Sequence, residues 1–210
     1  MAERMVGEVA KRGGDNNNRP KFSKTEQSQF DQLLAKADKM IAEQGKLLAP
    51  NGKPSKLNRY QWAQVRTDNF KAWFGDWEND PENASKVVDE NGEPKVVYHG
   101  TNADFNVFEP TKPNFYQETE GWYFFTDKRE SAHMFGRKVM SVFLNISNPT
   151  IETQGTFKTW NLYDDEGNYG FIAPNTDTGN GGIANQYVVE NPTQIKSATD
   201  NNGEFSPTNP

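Results

Sequence analysis

The 210-residue chain contains no cysteine and only two histidines. The first absence removes disulfides, thiolate nucleophiles and cysteine-built metal centres together. The second leaves few soft ligands, so metal-assisted hydrolysis is poorly supported and no metal is expected. Long apolar runs are missing as well. No segment approaches membrane-spanning length, and Met1-Ala2-Glu3-Arg4-Met5-Val6-Gly7 has no apolar signal-peptide region. The expectation is a cytoplasmic protein, or one delivered into a host cell. Positive charge is not in excess: a formal net charge of −6 disfavours extended contact with phosphate backbones. A macromolecular partner is therefore expected to be a protein rather than a nucleic acid. No nucleophile-elbow sequence is present, which argues against a Ser-His-Asp hydrolase.

Aliphatic residues are also scarce, with hydrophobic residues at 33% of the chain, but there are 14 Phe, 7 Tyr and 5 Trp. Each aromatic ring buries a large area, so an aromatic-heavy core is expected. Residues 1–22 are polar and read as a flexible lead-in. From Ser23, with Glu26 as a capping-box partner, Phe30, Leu33, Leu34, Ala37, Met40 and Ile41 recur at helical spacing. Gly45 and Pro50-Asn51-Gly52 close that helix, and 23–57 reads as an N-terminal helical extension. A second helical region is expected from Asn58 to Phe74. Trp62, Trp73 and Trp77 crowd it, either as a ligand cage or as a helical cap packed on a sheet.

From Lys86 the period becomes strand-like. Lys86-Val87-Val88 and Lys95-Val96-Val97-Tyr98 flank a turn at 89–94. Short strands are expected at Val107-Phe108, Trp122–Phe125, Val139–Ile146, Tyr169–Ala173 and Gln186–Val189. A short helix is expected at Lys128–Phe135, with loops at 109–120 and 174–182. No internal repeat is visible. Short strands with a few helices make an α+β domain over 58–205, with 206–210 as a tail.

Three segments stand out in order: Val96-Val97-Tyr98-His99-Gly100-Thr101, Gly121-Trp122-Tyr123-Phe124, and Asn185-Gln186-Tyr187-Val188-Val189. Each reads as a strand or strand end and carries one side chain suited to a nucleotide: His99, Tyr123, Gln186. His99 beside Gly100 sits where a side chain can reach a groove and the backbone can approach a ligand closely. Together the segments resemble the NAD-binding core of ADP-ribosyltransferases of the diphtheria-toxin and poly(ADP-ribose)-polymerase type, whose signature is His, Tyr, Glu. Asn69-Phe70-Lys71-Ala72-Trp73-Phe74-Gly75-Asp76-Trp77 looks like a motif that precedes such domains in polyvalent proteins of phages and mobile elements.

The resemblance implies a split antiparallel sheet, NAD as co-substrate, and transfer of one ADP-ribose to an acceptor, a host protein, as a toxin or effector would do. It implies that His99 holds the adenosine ribose, with Thr101 beside it. It further implies that the Gly100 backbone and Ser131 hold the carboxamide and that Tyr123 stacks on nicotinamide. Met134 or the adjacent Phe135 would close the other side of the ring. Gln186 stands where the family has its catalytic Glu. Glutamine keeps the hydrogen bond and loses the charge, and Glu190 or Glu120 are the acids that could compensate. A binding module without turnover and an NAD glycohydrolase are the alternatives. A monomer is expected.

Overall fold

The structure, a computed structural model, describes residues 24–105, 107–108, 122–152, 170–177 and 182–199. Helix α1 (Lys24–Gln44) carries the expected stripe. It buries Ala37 fully, and Phe30, Leu33, Leu34 and Met40 partly. Gly45 ends it with φ 71, its N–H reaching the Ile41 carbonyl at 2.8 Å. Such a left-handed residue costs glycine little. Ser23, the expected cap, lies outside the described residues.

The second helical region is two helices rather than one. Helix α2 (Arg59–Gln64) starts in a capping box between Asn58 and Gln61. Thr67 then starts α3 (Asp68–Phe74) by accepting the Phe70 N–H at 3.3 Å. A threonine hydroxyl that caps a new helix competes with continuation of the old one, which is why an unbroken apolar pattern still gives a break.

Seven strands follow: β1 (Val97–Thr101), β2 (Tyr123–Thr126), β3 (Lys138–Leu144), β4 (Thr150–Ile151), β5 (Phe171–Asp177), β6 (Ile183–Val189) and β7 (Ile195–Ser197). The short helix α4 (Arg129–Ala132) lies between β2 and β3 and tightens into a 3₁₀ turn at His133–Phe135. The sheet order is β4-β5-β6-β2-β1-β3-β7. It is mixed rather than wholly antiparallel, because β4 runs parallel to β5. Lys86–Val88 and Lys95-Val96 are not strand; a single bridge, Val88 to Pro94, closes the turn between them. Val107-Phe108 is not strand either, and Phe108 is a core side chain. The first residues of the expected 174–182 loop, 174–177, belong to β5; the expected loop at 109–120 and Tyr169 lie outside the described residues.

One relation was missed in sequence, although both segments read Asn-Gly-x-Pro, Asn51–Pro54 and Asn91–Pro94. The turns at Leu48–Pro54 and Val88–Pro94 share a hydrogen-bond pattern and glycines at φ 79, Gly52 and Gly92. Their tips meet, Asn51 Nδ2 donating to Asn91 Oδ1 at 3.1 Å.

Phe70 organises the core under the helices. Its ring stacks on Phe74 at 5.0 Å and meets Trp73 and the β3 residue Phe143 edge-on at 5.7 and 5.2 Å. Ala37, Leu47, Trp62 and Ala198 join the same cluster, so α1 to α3 share one core with the sheet. Trp62, Trp73 and Trp77 pack as a cap in the core, and a cation of this chain lies against two of them. Arg66 lies 3.9 Å from the Trp62 ring and 5.0 Å from that of Trp77. The three indole N–H groups donate to the carbonyls of Leu48, Thr193 and Val65, each at 2.9 Å. No helix among the described residues is long and apolar enough to cross a membrane.

Candidate functional site

β1 and β2 meet in the single register pair Tyr98–Thr126. Beyond that pair the β1–β2 ladder parts, while on its other edge β1 stays paired with β3 from Val97 to Thr101, His99 with Met140 and Gly100 with Val139. On β2's other side Thr126 pairs Gln186, and Gln186 pairs Ala173. Tyr98, Thr126, Gln186 and Ala173 therefore stand in one row across four strands, on one face of the sheet.

A cavity of ≈ 230 Å³ opens at this seam. Tyr98, Phe124, Phe125 and Phe135 supply its aromatic walls, and His99, Thr126, Ser131 and Gln186 its polar groups, with Gly100 and Ala132. It is smaller than the roughly 300–1,000 Å³ of a site that encloses a drug-sized ligand. Among the described residues lining it there is no carboxylate.

Glycine creates the closeness of α4 to β1. A Cβ on Gly100 would overlap the Ala132 carbonyl and stand 3.2 Å from the Phe135 Cβ; one on Gly136 would overlap the Thr101 backbone. These two positions let the turn carrying Ser131 and Phe135 lie directly on the strand carrying His99. Ser131 is buried, whereas Phe135 is 68% exposed at the mouth.

His99 is half-buried among rings, with Phe108 at 5.2 Å, Phe125 at 5.4 Å and Phe105 at 6.3 Å. Desolvation by these neighbours pushes its pKa below the ordinary histidine value, and the hydrogen bond of Nδ1 to the Phe124 carbonyl only partly opposes this.

The expected residues separate into two groups. His99, Gly100, Ser131, Phe135 and Gln186 come together around the cavity. Tyr123, Thr101, Met134 and Glu190 are not in its lining. Tyr123 is 4% exposed and meets Phe108 edge-on at 5.5 Å, on the core side of β2. Strand alternation puts Tyr123 on the face of Phe125 and Phe124 on that of Gln186; Phe125, next to the seam where β1 parts from β2, still reaches the lining from the core face, and Tyr123, two residues further along, does not. The Thr101 hydroxyl accepts the Ala103 N–H at 3.0 Å. Glu190 is exposed beyond the end of β6, and Glu120 lies outside the described residues.

Sequence reasoning missed Tyr98, Phe124 and Thr126, all set by register. It also missed a polar cluster beside Gln186. Asp127 accepts the Asn185 backbone N–H at 2.9 Å and its Nδ2 at 2.8 Å, and lies 3.1 Å from Lys95 Nζ. Burial opposes the charge of Lys95, but Tyr187 and Asp127 outweigh it and raise its pKa above the ordinary value. Tyr187 is itself raised, by burial first. Thr126-Asp127 at the end of β2 was the available signal.

Among the described residues no group of His, Asp and Glu is placed to hold a metal ion. A family model described as ADP-ribosyltransferase in polyvalent proteins matches residues 89–205. No curated protein matches the chain.

Proposed function

The chain belongs to the ADP-ribosyltransferase family of polyvalent proteins, and from that premise we propose that it transfers a single ADP-ribose from NAD to a host protein. The family uses NAD as co-substrate. In this chemistry the bond between nicotinamide and ribose breaks, nicotinamide leaves neutral, and the acceptor attacks the freed ribose carbon. The leaving group is already cationic, so the protein's task is to position the sugar and stabilise charge developing on it.

The observation that carries this reading is that three segments distant in sequence, at His99-Gly100, Ser131 and Gln186, line one aromatic-walled cavity. Its size suits the nicotinamide end of NAD. In this assignment the Gly100 backbone and the Ser131 hydroxyl hold the carboxamide. Phe124 and Phe135 flank the ring, each such stacking contact contributing on the order of 0.5–1.5 kcal/mol beyond burial. Tyr123 supports Phe108, which packs against His99. His99 accepts a hydroxyl of the adenosine ribose, and the narrow seam between β1 and β2 is the split of the family's sheet. Gln186 accepts a hydroxyl of the nicotinamide ribose.

A second reading has its own support. With no carboxylate among the described lining residues, the loss of one preorganised charge costs on the order of 10²–10³ in rate. That favours a slow enzyme or an NAD-binding module without turnover. Nicotinamide release by the wild type and by Gln186→Glu separates the two. A gain on the order of 10²-fold in the variant supports the weakened enzyme. No release by either, with NAD bound by both, supports the binding module.

A further inference from the structure

Gln186 holds its place in the cavity wall through the register of β6, which the ladder to β2 and the buried Val188 and Val189 set and a polar cluster at Asn185 fastens. β5 leaves its regular ladder with β6 between Ala173 and Thr176, where Asn175 takes φ 54. On that side the ladder fails immediately before Gln186. The Asn185 side chain replaces it. Its Oδ1 accepts the Asn175 N–H at 3.0 Å, while its Nδ2 donates to Asp127 Oδ2 at 2.8 Å. Asp127 Oδ1 accepts the Asn185 backbone N–H at 2.9 Å, and Asp127 N–H donates back to the Asn185 carbonyl at 3.2 Å. A carboxylate only accepts and a backbone N–H only donates, so the orientation of the Asn185 amide is determined. One amide thus ties β5 and β6 to the residue that follows β2, and Lys95 shares with it the carboxylate oxygen Oδ2.

We infer that Asp127 is a positioning residue for Gln186, an assignment that rests on the reading in which Gln186 contacts the nicotinamide ribose. Asp127 itself is absent from the cavity lining. Its two-oxygen grip on Asn185 opposes a one-residue slip of β6. Such a slip would turn Gln186 to the opposite face and present Asn185 or Tyr187 in its stead. Asparagine at 127 would turn a donor toward Asn185 or Lys95, which both donate, and would lose the grip with little change of shape.

The test is Asp127→Asn in the full chain, alone and combined with Gln186→Ala. In the wild-type background kcat for nicotinamide release should fall on the order of 10²-fold, while the Kd for NAD shifts less than about threefold. In the Gln186→Ala background the same substitution should add less than about threefold, because neighbours acting as one unit are not additive. Equal losses in both backgrounds would overturn the positioning role. Gln186→Ala with unchanged turnover would instead overturn the reading of Gln186. Hydrogen exchange decides the register without any activity: residues 183–187 should exchange at least about tenfold faster in Asp127→Asn, with 62–74 keeping their protection. Unchanged exchange at 183–187 would overturn the inference.

Discussion

His99 Nδ1 and the Phe124 carbonyl oxygen are 2.9 Å apart, and this contact selects the tautomer of the ring. A carbonyl only accepts, so Nδ1 carries the proton. Nε2 is left with a lone pair as long as the ring is neutral. β1 thereby presents an acceptor for a ligand hydroxyl beside the cavity rather than a second donor.

The pH dependence follows from the lowered pKa. His99 titrates below the ordinary histidine value in the folded chain and at about 6.5 when unfolded. Below pH ~6.5 the unfolded state binds more protons, so this contribution to stability is full above that pH. It is lost as pH falls through the folded pKa. The stability difference between about pH 7.5 and about pH 5 should be larger for the wild type than for His99→Gln, measured by urea denaturation. NAD affinity should fall over the same acidic window as Nε2 gains a proton. An equal pH slope in both proteins would contradict this assignment.

Gly100 and Gly136 differ from Gly52 in what surrounds them. A side chain at either of the first two meets backbone, while Gly52 faces open space at φ 79. Gly100→Ala and Gly136→Ala should cost about 1–3 kcal/mol by overpacking and weaken NAD binding, because the α4 turn must lift from β1. Gly52→Ala should cost about 1–2 kcal/mol through its left-handed backbone and leave NAD affinity unchanged. Calorimetric melting and NAD titration of the three variants separate these effects.

The Arg66–Glu93 pair is inside the core. Arg66 Nη2 lies 2.7 Å from Glu93 Oε1, with the side chains 7% and 0% exposed, and Glu93 Oε2 has no hydrogen-bond partner. Arg66→Met leaves a buried carboxylate unpaired and should cost about 3–5 kcal/mol. Arg66→Met combined with Glu93→Met should recover most of that loss. Denaturation midpoints give the answer directly. A double variant no more stable than the single one would contradict the pairing.

Much of the sheet was legible because the strand signals at Val96–Thr101, Trp122–Phe125 and Gln186–Val189 are local, set by β-branched and aromatic residues between turn formers, although β6 begins earlier, at Ile183. Helix α1 was legible for the same kind of reason, its stripe and Gly45 lying within one segment. What stayed hidden depends on pairing. That Thr126 faces Gln186, and that Phe124 rather than Tyr123 stands on that face, follows from a β2–β6 register no single segment encodes. The break at Thr67 was overridden by an apolar pattern that continues through it. The Trp-rich region gave no sign of which cation it holds, because Arg66 enters by tertiary packing. His99 and Gln186 could be placed on strands, but their convergence on one cavity belongs to the fold.

The most direct measurement is titration of NAD into the wild-type chain and into Phe135→Ala by calorimetry. Phe135 is an exposed wall of the cavity, so its removal should leave the fold intact. Binding of one NAD per wild-type chain is expected, with affinity lower by about 0.5–1.5 kcal/mol in the variant, equivalent to about two- to thirteenfold in Kd. A folded wild-type chain that takes up no NAD at millimolar concentration, or binds it equally well without the Phe135 ring, would contradict the placement of the nicotinamide end in this cavity.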